Sequence, residues 1–236
     1  MQKNILVFIL LSFLFLPLAA SAHQPRLVYN YSPSTKDVPI VINQPDVSQA
    51  FYGKLNKKSD FYKINLTDDT ELYFNILIPD ISHLKYLAKD AKTVEAAKLS
   101  NAPIVKIVNN LTQEELLFGG DNTFTEKFYE EFGGDTYWKG PEIKQNFSKG
   151  VYTVEVFSKS GTGKYVLAVG DIESFPPGEA WHAIKSLPDL KKNFFEKSVL
   201  SAYWNKIGLF LGGGIIVFLI VIVVLGVIIK KIRNNN

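Results

Sequence analysis

Tyr152-Thr153-Val154-Glu155-Val156 places an apolar side chain at every second position, the period of a strand with one buried and one wet face. Phe61-Tyr62-Lys63-Ile64-Asn65-Leu66 carries the same rhythm. Outward from these, runs rich in β-branched and aromatic residues, each broken by turn residues, cover Pro39–Asn43, Gln49–Leu55, Asp60–Leu66, Glu71–Ile78, Ile104–Val108, Lys127–Phe132, Val151–Ser158 and Lys164–Val169. Short strands without long helices between them predict a mainly β fold, an antiparallel sandwich and not a parallel α/β sheet. Two stretches break the pattern. Leu84–Leu99, free of Gly and Pro and rich in helix formers, reads as a helical insertion. Leu187–Tyr203, whose Leu187, Leu190, Phe194, Phe195, Leu200 and Tyr203 lean to one face among lysines, reads as a second helix that either lies on lipid headgroups or packs on the sandwich.

The chain ends are apolar and carry a topology. Lys3, the run Ile5–Leu16, Pro17 and Ala19-Ala20-Ser21-Ala22 have the layout of an export signal cleaved after Ala22. Ile207–Ile229 has no charge, is long enough to cross a bilayer and is followed by Lys230, Lys231 and Arg233, which belong on the cytoplasmic side. Tyr203 and Trp204 fall at headgroup level. The expected division is 1–22 signal peptide, 23–47 N-terminal extension, 48–172 β-sandwich ectodomain, 173–206 juxtamembrane helical segment, 207–229 transmembrane helix and 230–236 cytoplasmic basic tail. Gly208 and Gly212, four apart, would let a second helix approach and form a homodimer, against the plainer reading that glycine is common in membrane helices and the pair lies at the outer end.

Between His23 and Lys206 there are 22 Lys and Arg against 23 Asp and Glu, a net charge of −1. No concentrated basic face follows from that balance, so nucleic acid is excluded as a partner. With no cysteine, thiol catalysis, thiolate metal sites and cysteine lipidation are excluded too.

Tyr52-Gly53-Lys54-Leu55, then Asp60-Phe61-Tyr62-Lys63-Ile64 and Leu72-Tyr73-Phe74-Asn75-Ile76, resemble the opening strands of bacterial pre-peptidase C-terminal domains. Lys149-Gly150-Val151-Tyr152-Thr153-Val154-Glu155-Val156 and Gly161-Thr162-Gly163-Lys164-Tyr165-Val166-Leu167-Ala168-Val169 look like that family's closing strands. The resemblance covers residues 48–80 and 148–170, and residues 81–147 depart from it. It implies a jelly-roll-like β-sandwich used as an accessory, non-catalytic module on exported proteins, some members of which bind calcium.

No G-x-S-x-G or H-E-x-x-H motif is present, and Gly161-Thr162-Gly163-Lys164 lacks the first half of a phosphate loop, so no enzyme activity is expected. The acidic segment from Gly119 to Glu142 offers hard oxygen donors on glycine-permitted turns, which is what Ca²⁺ requires; Asp121, Asn122, Glu131 and Asp135 are the candidate ligands, against solvated loop carboxylates as the plainer reading. Cleavage after Ala22 would free the amino group of His23 beside its ring nitrogen, a copper-chelating pair that needs a second imidazole, from His83 or His182, or a carboxylate to complete it, against an unremarkable disordered start as the plainer reading. Phe124, Phe128, Tyr129, Phe132, Tyr137 and Trp138 form either a ligand platform or sandwich core. Asn30, Asn65, Asn110 and Asn146 each begin an N-x-S/T sequon. The expected function is a membrane-tethered, non-enzymatic binding or assembly module of the cell envelope, single-pass with its C-terminus cytoplasmic. Its partners are the lipid bilayer and an envelope protein or glycan, and no cofactor is expected, calcium being the one candidate; an exported metal-handling ectodomain, for calcium through the acidic segment or copper through His23, is the alternative.

Overall fold

The computed structural model describes residues 23–30, 34–81, 101–131 and 133–234. The signal-peptide reading, His83, Leu84–Leu99 and Phe132 lie outside these residues.

The protein is mainly β. One sheet runs in the order β1 (Gln24–Leu27), β3 (Gln49–Asn56), β11 (Thr162–Val169), β5 (Thr70–Pro79), β9 (Asp135–Phe147), β8 (Glu126–Glu130). The other runs β2 (Ile40–Ile42), β4 (Asp60–Leu66), β10 (Gly150–Phe157), β6 (Ile104–Asn109), β7 (Glu115–Gly119). The alternation read in β4 and β10 is the burial pattern observed: Tyr62, Ile64 and Leu66, with Tyr152, Val154 and Val156, point into the core, where they meet Phe51, Phe74, Tyr165 and Leu167 of the facing sheet.

Two features differ from an all-antiparallel sandwich with a free N-terminal extension. β1 pairs parallel with β3, and β2 pairs parallel with β4. Residues 23–47 are therefore part of the sandwich and supply one edge strand to each sheet. The cause is connectivity: each edge strand reaches its partner only after a strand in the opposite sheet, so no hairpin fixes an antiparallel direction.

β9 interrupts the segment expected to be an acidic loop. It holds Gly140-Pro141, and its pairing with β8 ends at Lys139, so Pro141 lies where β9 has a neighbour on one side only. A bulge in β5 between Asn75 and Leu77 faces it, bridged by the Asn75 amide, which donates to the carbonyls of Gly140 (3.1 Å) and Pro141 (3.2 Å).

The residues of the two resemblance motifs converge in the core. The Tyr165 ring lies on Gly53, where any Cβ would overlap it. Its hydroxyl meets that of Tyr62 at 2.6 Å and donates to Asp60 Oδ2 at 2.8 Å, and Ser34 Oγ donates to Asp60 Oδ1 at 3.1 Å. Burial raises the Asp60 carboxyl above its usual 3.8, opposed by the two hydroxyl donors.

Register divides the sandwich into two ends. At the base lie the turns 56–60, 119–126, 130–135 and 157–162; at the tip lie 66–70, 109–115 and 147–150. β9, with 13 residues, runs from base to tip, about 40 Å at strand rise.

Candidate functional site

Behind β11 the chain becomes a strap. Helix α1 (Pro177–Asp189) opens on Pro177, a residue suited to a first helical turn, and contains Pro188 near its end. Pro188 cannot donate the next intrahelical bond, and the helix passes into a wide π-turn, Leu190–Phe194, followed by a 3₁₀ turn, Val199–Tyr203. The single helix expected over Leu187–Tyr203 is replaced by these pieces, the first of which turns its apolar side chains onto the sheet. Leu190, Phe194 and Phe195 are buried on the outer face of the six-stranded sheet against Tyr52, Leu77, Tyr137 and Val166. Phe194 meets Tyr52 edge-on at 5.2 Å, and Phe195 meets Tyr137 edge-on at 5.7 Å.

The π-turn aims Lys191 inward. Lys191 and Asp135 are each 1% exposed, and Lys191 Nζ donates to Asp135 Oδ2 and to the Gly133 carbonyl, both at 2.5 Å. Lys197 Nζ reaches Asp135 Oδ1 at 2.8 Å, and both ammonium groups lie 5.4 Å from the centre of the Phe195 ring. Burial holds the Lys191 ammonium below its usual 10.5, with the Asp135 carboxylate opposing. Burial likewise raises the Tyr52 and Tyr137 hydroxyls.

The β8–β9 turn, which supplies the Gly133 carbonyl, also fastens the last helix, α2 (Lys206–Asn234). Asn205 caps it: Oδ1 accepts from Gly208 N at 3.1 Å, while Nδ2 donates to the Gly133 carbonyl at 2.9 Å and to Ala202 O at 3.0 Å. Lys206 pairs with Glu131. The Gly133 carbonyl thus receives both the buried lysine and the helix cap. The Tyr203 carbonyl sits on Gly208, leaving no room for a Cβ, whereas Gly212, Gly213 and Gly214 have nothing beside them. The face of Gly208 proposed for a partner helix is occupied by its own chain.

The structure separates the calcium candidates. Asp121 pairs with Lys159, Glu131 with Lys206 and Asp135 with Lys191 and Lys197, while Asn122 takes φ +67° in the turn after β7. Among the described residues no group of three or more His, Asp and Glu is disposed to hold a metal. His23 shares its Nδ1 with the Ser48 hydroxyl, and burial lowers its pKa against the opposing pull of Glu173. His182 lies on α1. The aromatic stretch divides: Phe124 fills the core, Tyr137 lies under the strap with Phe128 stacked on it at 6.4 Å, and Tyr129 is exposed.

A groove of about 850 Å³ runs between β1, β2 and α1. Its floor is a closed polar network in which Arg26 donates to Glu179 Oε2 (2.8 Å), Gln24 Oε1 (2.5 Å) and Gln49 Oε1 (3.3 Å), and Gln24 Nε2 donates to Ser174 O (2.8 Å). These groups hold α1 to the sheet edge and satisfy one another.

No family model matches the chain, and no curated protein matches it. Among solved structures, the pre-peptidase C-terminal domain of a collagenase from Bacillus anthracis is similar at 14% identity and TM-score 0.34, covering 59% of this chain and 99% of that domain. CorA, a surface-associated copper-binding protein of Methylomicrobium album BG8, is similar at 8% identity and TM-score 0.27, covering 59% and 100%. The catalytic domain of an α-1,3-glucanase is similar at 13% identity and TM-score 0.24, covering 53% and 22%. At these scores the likeness bears on neither ligand nor activity.

Proposed function

We propose that this chain is a membrane-tethered, non-enzymatic binding or assembly module of the cell envelope, its sandwich outside, α2 across the bilayer and Lys230, Lys231 and Arg233 inside. One observation carries the reading: Gly212–Lys231, 20 residues of α2 whose only charges are the final Lys230 and Lys231, is apolar and long enough to cross a membrane, and its apolar window is not buried inside the protein. In water such a surface would be an aggregation liability; in hydrocarbon it is satisfied. The sandwich is of the jelly-roll-like, pre-peptidase C-terminal type, a reading supported by the way Gly53, Asp60, Tyr62 and Tyr165 depend on one another. Its non-catalytic character is supported by the use of the buried ionisable groups Asp60, Asp135 and Lys191 in packing.

The test is fractionation of cells expressing the full chain with an epitope after Asn236. The expected result is retention in membranes through an alkaline carbonate wash, loss of the sandwich to external protease and protection of the epitope. Release into the carbonate supernatant would remove the membrane reading, and digestion of the epitope on intact cells would reverse the orientation.

A further inference from the structure

We propose that the turn Val199–Tyr203, with Trp204, is a lipid-interface foot on which the sandwich stands upright, tip away from the bilayer. The proposal rests on the reading of α2 as a membrane span. Val199 is 42% exposed, Leu200 69%, Tyr203 44% and Trp204 86%, a cluster of large apolar side chains immediately before α2. The exposure is built in, because the turn is braced from within. Ala202 is buried against Leu187 and Ile184 of α1, Ser198 Oγ accepts from Leu200 N at 3.3 Å, and Ser201 Oγ donates to Ser198 O at 2.6 Å. One side of the turn is locked to the protein while the other presents aliphatic and aromatic groups to the surroundings.

The helix length says what those surroundings are. α2 has 29 residues, about 43 Å at 1.5 Å per residue, against a hydrocarbon layer of about 30 Å. With the uncharged part of that span, Gly212 to Ile229, in that layer and Lys230 and Lys231 at its inner edge, the first turn of α2 and the residues before it lie among headgroups and glycerol, where tyrosine and tryptophan are favoured. Asn205 holds this level against the β8–β9 turn, and β9 then runs to Phe147 at the tip. Trp181 supplies an internal contrast. It is 59% exposed, but its end of α1 is tied toward the tip through Glu179 to Arg26 and Ser174 to Gln24.

The experiment uses the full chain in nanodiscs of phosphatidylcholine brominated either near the glycerol end or near the methyl end of its acyl chains. Trp138→Phe/Trp181→Phe leaves Trp204 as sole emitter, and Trp138→Phe/Trp204→Phe leaves Trp181; the Trp138 indole N–H has no hydrogen-bond partner among the described residues, so Phe removes no hydrogen bond there. Trp204 is expected to lose emission to the shallow bromines and much less to the deep ones, with Trp181 unchanged. Should a tryptophan variant misfold, Leu200→Cys carrying an environment-sensitive dye gives the same reading, since the chain has no other cysteine. An unquenched Trp204 in a chain that survives the carbonate wash overturns the foot and leaves the span intact, whereas carbonate release removes the span itself. Quenching of Trp181 means a sandwich lying on its side and overturns the upright stance. Leu200→Cys disulfide dimers in nanodiscs holding two copies would give the patch to a second copy instead of lipid.

Discussion

Asp135→Asn is expected to undo the strap. The carboxylate is 1% exposed and accepts from two ammonium groups; without its charge, Lys191 remains buried beside Phe195 with the Gly133 carbonyl as its acceptor. Removing one partner of a buried pair costs about 3–5 kcal/mol, because the other is left desolvated and uncompensated. Lys191→Met is expected to cost less, about 1–3 kcal/mol, since Asp135 keeps Lys197 at 2.8 Å and that lysine is partly solvated. The double variant Asp135→Asn/Lys191→Met removes both buried charges and is expected to be more stable than Asp135→Asn alone, a coupling of about 2–3 kcal/mol. Urea unfolding of the detergent-solubilised chain measures the cycle, and limited proteolysis within 190–205 shows whether the strap leaves the sheet first. If Asp135→Asn unfolds within about 0.5 kcal/mol of the parent, the pair does not hold the strap and the reasoning fails. The clamp also sets a pH slope. Lys191 titrates below its usual 10.5 in the folded state, so over that window the native chain binds fewer protons than the unfolded one. Its contribution to stability rises with pH there, and Lys191→Met abolishes that rise.

Three further outcomes follow from the packing. Gly53→Ala forces a Cβ into the Tyr165 ring and is expected to destabilise the sandwich by about 2–4 kcal/mol in the same unfolding assay, with partial rescue by Tyr165→Val. Gly208→Ala drives the Tyr203 carbonyl off the helix and is expected to open residues 198–205 to protease while membrane retention persists; Gly213→Ala, with nothing beside it, is expected to change neither. Asp60→Asn is expected to remove a pH dependence: Asp60 holds its proton to higher pH folded than unfolded, so its contribution to stability falls as pH rises from 3.8 through the raised value. Melting temperatures taken across that window should show a flatter profile in the variant.

Sequence periodicity located the strands whose two faces meet different solvents. β4 has the bounds expected from alternation, and β10 differs by a residue at each end. β9 was hidden because Lys139, Glu142, Lys144 and Gln145 interrupt it with charge and amide, and because Gly140-Pro141 reads as a turn unless the end of β8 is known. β1 was hidden because Gln24 and Arg26 serve α1 and not a core face, which leaves no alternation to read. Lys191 gave no signal at all: a lysine among Leu190, Lys192 and Asn193 reads as a wet face, and only the π-turn after Pro188 rotates it inward. Asp135 was legible as an oxygen anion on a glycine-rich turn, the chemistry calcium would use, but sequence could not reveal that the strap brings a lysine to the same carboxylate.

A passive tether needs only a polar, flexible linker between sandwich and helix. Here the 36 residues from Gly170 to Asn205 instead pack an aromatic cluster, bury an ion pair and cap α2 with a side chain that also grips the sandwich. Burying Lys191 carries a desolvation penalty that an apolar residue would avoid, and a buried pair is weak evidence for stability alone. What the pair does supply is a directional constraint: Asp135 is satisfied only when the strap lies in one register, and that register also sets Asn205 against Gly133. The α2 axis and the sandwich base are therefore fixed together. For a module that meets its partner beyond the bilayer, such a joint fixes which surface faces outward, and the Gly208 and Asp135 variants would free it while leaving both the helix and the sandwich in place.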